Sequence, residues 1–228
     1  MKKNTNIGFY RLFIAGIVIV FLNSCGKDVT EIVSPIPERY TAIAAGQLHS
    51  LALGSDGGLW IWGSYQDGQL GNGLHGNASG TWYTLFFNPE PGLLGTGYSD
   101  IAAGSNHSLA IKKDGTLWAW GDNLQGQVGD GTNVDKSTPV FIGSGYTKIT
   151  GGTYHTLALK ADHTLWIWGI SKLNPELLGT DYIKIDAGYK HSLALKTDGT
   201  LWAWGSNSSG ALGTGGDSTN SSSPIQIK

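Results

Sequence analysis

One stretch of sequence is written four times in this chain. AAGQLHSLALGSDGGLWIWG from Ala44, AAGSNHSLAIKKDGTLWAWG from Ala102, TGGTYHTLALKADHTLWIWG from Thr150 and DAGYKHSLALKTDGTLWAWG from Asp186 align without a gap. All four copies keep a glycine (Gly46, Gly104, Gly152, Gly188), a histidine (His49, His107, His155, His191) and a Trp-x-Trp-Gly that ends on Trp62, Trp120, Trp168 or Trp204 plus glycine. A tyrosine and an isoleucine three residues apart precede each copy, at Tyr40/Ile43, Tyr98/Ile101, Tyr146/Ile149 and Tyr182/Ile185. The histidines stand 58, 48 and 36 residues apart, yet the span from Pro91 to Gly121, Pro139 to Gly169 and Pro175 to Gly205 is always 30. All length variation therefore falls between a Trp-Gly and the next proline. Fixed units joined by variable connections are the pattern of stacked repeats that carry their loops on one face.

Inside each copy the period is two. In Leu201-Trp202-Ala203-Trp204 the two indoles fall on one face of a strand and Leu and Ala on the other, and His191-Ser192-Leu193-Ala194-Leu195 alternates likewise. Asp-Gly between the two runs is a hairpin signal, because glycine accepts positive φ. The third copy has Asp162-His163 there, so its turn is expected to be strained or differently shaped. The chain has 35 Gly in 228 residues, about twice the usual share, and nine Trp against one Met. No apolar pattern of period 3.6 runs through the body. The expectation is an all-β body. Repeats of 36 to 58 residues with room for about four short strands each predict a β-propeller built from four tandem repeats.

The phrase AG..HSLAL..DG.LWAWG is followed by Gly68-Gln69-Leu70-Gly71 after copy one, Gly126-Gln127-Val128-Gly129 after copy two and Gly210-Ala211-Leu212-Gly213 after copy four; copy three lacks it. Together these residues closely resemble the regulator of chromosome condensation repeat family, over about residues 40 to 228. The resemblance implies a β-propeller, usually of seven blades, and some members of that family are guanine nucleotide exchange factors. Here there are four repeats, which leaves two ways to finish the structure. Pro224-Ile225-Gln226-Ile227 matches Pro139-Val140-Phe141-Ile142, read as the strand that precedes a blade. It could complete the first blade and close a four-bladed ring. Otherwise the body is an open arc, completed by a second copy as a homodimer; unpaired sheet edges invite such association.

The first 25 residues read as an address. Lys2, Lys3 and Arg11 precede an unbroken apolar run, Leu12 to Leu22. Eleven residues are too short to span a bilayer, which takes about 20, but fit the apolar region of a secretory signal. The run ends in Leu22-Asn23-Ser24-Cys25, which resembles the lipobox of bacterial lipoproteins and uses the only cysteine of the chain. That resemblance implies acylation of Cys25 and a membrane anchor. Gly26-Lys27-Asp28 resembles the surface-export signals of some lipoproteins. The expected organisation is a signal peptide over 1–24, a flexible tether over 25–39 and a propeller over 40–228. The expected location is the cell envelope, as an outer-membrane lipoprotein that could face the cell surface.

Beyond residue 24 the chain holds 12 basic and 17 acidic residues. A mildly acidic body argues against a nucleic-acid partner, which calls for a clustered basic surface. His49, His107, His155 and His191 recur at one register, so they spread around the repeats and are expected to bond neighbouring backbone or turns; no metal site and no cofactor is expected. His49-Ser50 and its copies do not form a nucleophile–base pair, because adjacent strand residues face opposite sides. Trp62, Trp120, Trp168 and Trp204 are expected in the packing between blades, each indole N–H needing a partner. Outside the repeat, the longest connection carries Trp82, Tyr83, Phe86 and Phe87, a candidate contact patch for a protein or glycan partner. No catalytic residue is singled out. The reading is a lipid-anchored binding module without catalysis. The alternatives are exchange-factor activity by family analogy and an envelope glycan-processing enzyme.

Overall fold

The structure, a computed structural model, describes residues 10–14, 17–21, 37, 39–76, 87–216 and 218–227. It divides into a unit of residues 1–39 and a unit of residues 40–228. In the first, β1 (Tyr10–Ile14) pairs antiparallel with β2 (Ile17–Phe21), Tyr10 opposite Phe21.

The second unit is four antiparallel sheets of four strands each, taken in chain order. The first sheet holds β3 (Tyr40–Ala45), β4 (His49–Gly54), β5 (Leu59–Ser64) and β6 (Phe87–Gly95). The second holds β7 (Tyr98–Ala103), β8 (His107–Lys112), β9 (Leu117–Gly121) and β10 (Lys136–Gly143). The third holds β11 (Tyr146–Gly151), β12 (His155–Lys160), β13 (Leu165–Gly169) and β14 (Lys172–Gly179). The fourth holds β15 (Tyr182–Ala187), β16 (His191–Lys196), β17 (Leu201–Gly205) and β18 (Ser221–Ile227). The all-β, four-repeat reading therefore holds, with one sheet per repeat. Each central hairpin keeps one register, as in His49↔Gly63 and Leu53↔Leu59 of β4 and β5.

Local chemistry fixes the hairpins. Asp114, Asp162 and Asp198 each accept the backbone N–H and the hydroxyl of the threonine two residues on, which holds their carboxyls below the usual carboxylate range. The same threonine hydroxyls accept the indole N–H of Trp118, Trp166 and Trp202. Copy one has Gly58 in place of that threonine, and among the described residues the buried Trp60 Nε1 has no partner. His163 takes the left-handed conformation, φ 62°, that glycine takes in the sister turns. The turn keeps its shape, as the bond from His163 N to Lys160 O matches that from Gly115 N to Lys112 O.

The C-terminal strand does not complete the first sheet. β18 pairs with β17, Leu201 opposite Ile227 and Ala203 opposite Ile225, as the fourth strand of its own sheet. The segment it matches, Pro139–Ile142, likewise lies in β10, the last strand of the second sheet. The proline-bearing strand thus finishes a repeat rather than opening one. The first sheet already has its own, β6, which contains Pro89 and Pro91.

The sheets pack face to face in series, and the core is three layers of like composition. Leu51, Leu53, Leu59 and Ile61 of the first sheet meet Tyr98, Ile101, Ala110 and Trp120 of the second. Leu109, Ile111, Leu117 and Ala119 then meet Tyr146, Ile149, Ala158 and Trp168 of the third. Leu157, Leu159 and Leu165 meet Tyr182, Ala194 and Trp204 of the fourth. Every sheet so has a leucine-rich trailing face and a Tyr/Ile/Trp leading face, as the period of two requires. At the two ends these faces are open. Ile43 is 83% exposed where Ile101 is 7%, and Leu201 is 41% exposed where Leu59, Leu117 and Leu165 are fully buried. Among the described residues the four sheets form no closed ring.

Candidate functional site

The first two joints between sheets are each held by one buried polar relay. At the first, His49 Nε2 lies 2.9 Å from Ser108 Oγ. The Ser108 hydroxyl donates to the carbonyl of Gln69 at 2.8 Å, and Trp120 Nε1 donates to the same oxygen at 2.9 Å. Since the hydroxyl's proton goes to Gln69, the imidazole must donate from Nε2 and is the neutral tautomer with a bare Nδ1. The second joint repeats this atom for atom. His107 Nε2 is 3.0 Å from Thr156 Oγ1, and Thr156 and Trp168 Nε1 both donate to Gln127 O.

The Gly-Gln-x-Gly loop makes that carbonyl available. The Gln69 side chain folds back to accept the N–H of Asp67, and Gln127 does the same for Gln125. Gly129 follows with φ 84°, and a Cβ there would stand 2.6 Å from Trp168 Nε1; at Gly71 the clash is 2.8 Å, with Trp120. Only glycine lets the loop lie on the indole. In the second-sheet loop, Asn123 Oδ1 accepts the N–H of Val128, and its amide donates to Asp130 and Thr132.

Burial sets the charge of the histidines. His49 and His155 are held down to about 4 and His107 to about 3, chiefly because a charged ring would lose its water. All three are neutral at pH 7. A His–Ser pair at 2.9 Å resembles a base and its nucleophile, but at the first two joints the hydroxyl gives its proton to a carbonyl and both side chains are buried. The geometry is one of fastening.

The third joint lacks the loop. Gly169 is followed by a two-residue turn, Ile170 (φ 50°) and Ser171 (φ 72°), that runs straight into β14. His155 Nε2 still lies 2.9 Å from Ser192 Oγ. Among the described residues no carbonyl answers Ser192, and the buried Trp204 Nε1 has no hydrogen-bond partner. A cavity of about 600 Å³ opens at this joint, lined by Tyr154, Ile170, Lys190, Ser206 and Ser221–Ser222 among others. Lys190 Nζ sits over the rings of Tyr154 and Tyr189, 5.8 and 5.2 Å from their centroids.

The residues singled out from sequence fall in three groups. Trp120, Trp168 and Trp204 lie buried in the three joints, whereas Trp62, on the open leading face of the first sheet, is half-buried. His49, His107 and His155 bridge to the next sheet, and His191, with no sheet after it, is half-exposed. Phe87 opens β6 and is exposed, opposite Ser64. Trp82, Tyr83, Phe86 and Cys25 lie outside the described residues. Among the described residues no group of three or more His, Cys, Asp or Glu could hold a metal ion, and no helix is long and apolar enough to cross a membrane. Sequence reasoning did not assign roles to Gln69, Gln127 or Asn123. Their signal was the Gly-Gln-x-Gly phrase, whose meaning depends on an indole about 40 to 50 residues further along the chain.

Family models described as regulator of chromosome condensation (RCC1) repeat match residues 40–69, 98–127 and 182–211, and also 114–159 and 198–228. The chain is 35% identical over 100 residues to the mouse X-linked retinitis pigmentosa GTPase regulator, covering 43% of this chain and 10% of that protein. It is 34% identical over 113 residues to the Arabidopsis thaliana ultraviolet-B receptor UVR8, covering 46% of this chain and 24% of the receptor. The chain thus spans a quarter or less of these relatives. Among solved structures, Saccharomyces cerevisiae Prp20p, described with its binding to Gsp1p and histones, superposes with a TM-score of 0.71 at 24% identity, over 93% of this chain and 59% of that one. Human WBSCR16 gives 0.71 at 22% identity, over 93% and 64%. These likenesses concern the fold.

Proposed function

Given that this chain belongs to the regulator of chromosome condensation repeat family, we propose that it is a non-catalytic interaction module, lipid-anchored in the cell envelope through Cys25. The observation that carries the interaction reading is the pair of open end faces. Ile43 and Tyr40 at one end and Leu201 at the other are large apolar side chains in water, whereas the tyrosine and leucine positions are buried at all three internal joints and the isoleucine position is buried at two and half-buried at the third. Exposed apolar faces of that kind mark a docking surface. The trailing face of the fourth sheet and the leading face of the first have the residue types that meet inside the molecule, so each fits the other end of a second copy. Two arcs joined head to tail in both directions make a ring of eight blades, within the range of about four to eight in which propellers close.

The anchor reading rests on Leu22-Asn23-Ser24-Cys25 and the charged, apolar leader before it. Its test is metabolic labelling with palmitate and fractionation of the envelope. Wild type takes up label and sediments with membranes, and Cys25→Ser does neither; unlabelled wild type in the soluble fraction overturns it. The module reading is tested by capture from envelope extract with the detergent-solubilised chain. A specific protein or glycan retained by wild type and lost when Trp82 and Phe86 of the candidate contact patch are both replaced by Ala supports it. Turnover of envelope glycan by the purified chain contradicts it.

A further inference from the structure

The vacated third joint has the shape and chemistry of a receptor for a peptide turn. At the first joint, Gly68 of the loop lies against Lys136 O and Ser137 Cα, the first residues of β10, and Gly73 N donates to Ser137 O. At the second, Gly126 lies against Lys172 O and Leu173 Cα at the start of β14, and Gly131 N donates to Leu173 O. The equivalent residues of the fourth sheet are Ser221 and Ser222. Lys136 pairs with Gly121 as Ser221 pairs with Gly205. Ser221 and Ser222 line the 600 Å³ cavity. The cavity thus abuts, at Gly205, Ser221 and Ser222, the strand start against which a loop lies at the other two joints.

The groups that the loop would satisfy are still present. Trp204, 4% exposed, has its indole N–H without a partner, and Ser192, 2% exposed, is met by His155 alone among the described residues. A buried donor left unmet is destabilising, so an incoming acceptor removes a standing penalty. At the cavity wall Ile170, a β-branched residue, is held at φ 50° and is 55% exposed. Strain of this kind collects at binding sites.

We propose that the third joint binds a glycine-bearing peptide turn of a partner protein, whose backbone carbonyl accepts Trp204 Nε1 and Ser192 Oγ in place of the missing Gln carbonyl. A peptide is favoured over a sugar because peptide backbone fills the same place twice in this molecule, against the same pair of donors. Tyr154 and Lys190 at the rim offer a ring face and one cation to the side chains of that turn. This inference rests on the interaction-module reading and names the ligand chemistry of one site in it.

The probe is a synthetic peptide with the sequence of residues 122–131, DNLQGQVGDG. It is titrated into the detergent-solubilised full chain labelled with ¹⁵N at tryptophan. The indole signal of Trp204 is assigned by its loss in Trp204→Phe. The expected result is a saturable downfield shift of the Trp204 indole proton, with half-saturation below about 1 mM. A peptide carrying Gly129→Val, which places a side chain where the Cβ contact is 2.6 Å at the second joint, binds at least tenfold more weakly. No shift of Trp204 at several millimolar peptide overturns the proposal. So does equal binding of the Gly129→Val peptide, or a shift produced by chito-oligosaccharide and not by peptide. Because the readout is direct, a negative result leaves the capture experiment on envelope extract to decide the module reading separately.

Discussion

His49 of the first sheet reaches Ser108 of the second, 2.9 Å from Nε2 to Oγ. The two residues lie 59 apart in the chain, and the contact recurs as His107 to Thr156 and His155 to Ser192. A histidine kept neutral is therefore part of every joint. Acid should loosen them together. The unfolded histidines titrate near 6.5, the folded ones at about 4, 3 and 4, so below pH 6.5 the unfolded chain binds more protons than the folded one. The stability from these neutral rings is complete above that value and is lost as pH falls toward 4, on the order of 3 kcal/mol for each ring. Thermal melts at pH 7.5 and pH 5 check this. His107→Gln should flatten the pH dependence in that window by about a third.

The two fully fastened indoles differ from the third in one hydrogen bond. Trp168→Phe removes the donor to Gln127 O along with part of the side chain, whereas Trp204→Phe removes a donor that has no partner among the described residues. Trp168→Phe should cost about 1 kcal/mol more than Trp204→Phe, the net worth of one buried hydrogen bond. Denaturant unfolding of the two variants measures the difference, and equal losses would refute the assignment.

His163 holds a left-handed φ of 62° in a turn where Gly115 has 79° and Gly199 has 83°. A non-glycine residue in that region costs roughly 1 kcal/mol, offset in part by the entropy that glycine adds to the unfolded chain. His163→Gly should raise stability by about 0.5 kcal/mol, read as a higher melting temperature. A decrease would show that the imidazole makes a contribution of its own.

The end faces predict assembly. Light scattering of the detergent-solubilised chain, corrected for bound detergent and acyl groups, should give twice the mass of one mature chain. Leu201→Glu, at the open trailing face, should return it to a monomer with little change in the melt of each arc. A wild-type monomer at micromolar concentration contradicts closure by a second copy.

Much of this architecture could be read from the chain, and the failures have a common cause. Tyr98, Ile101 and Trp120 recur at fixed spacing, and strand alternation is a local property, so one sheet per repeat and the leucine and indole faces were legible. The allegiance of Pro224–Ile227 was not. A strand lying between two repeats has the same sequence whether it ends one sheet or begins the next, and only pairing with Leu201 and Ala203 decides it. The histidine partners were expected among neighbouring backbone groups, and they are side chains of the next repeat, since a periodic sequence does not state which copy a residue touches. The missing Gly-Gln-x-Gly of copy three was visible as a gap. Its consequence, an indole N–H of the following copy left unmet, exists only once Trp204 is packed against the third sheet.

The most direct test of the joint relay is the indole proton spectrum of the unliganded chain. Trp120 and Trp168, both donating to a Gln carbonyl at 2.9 Å, should resonate well downfield with small temperature coefficients. Trp204 should lie upfield of both, with the larger coefficient of an unbonded N–H. A Trp204 signal alongside the other two would mean that the third joint already has its acceptor, and both the vacancy and the ligand inferred from it would fall.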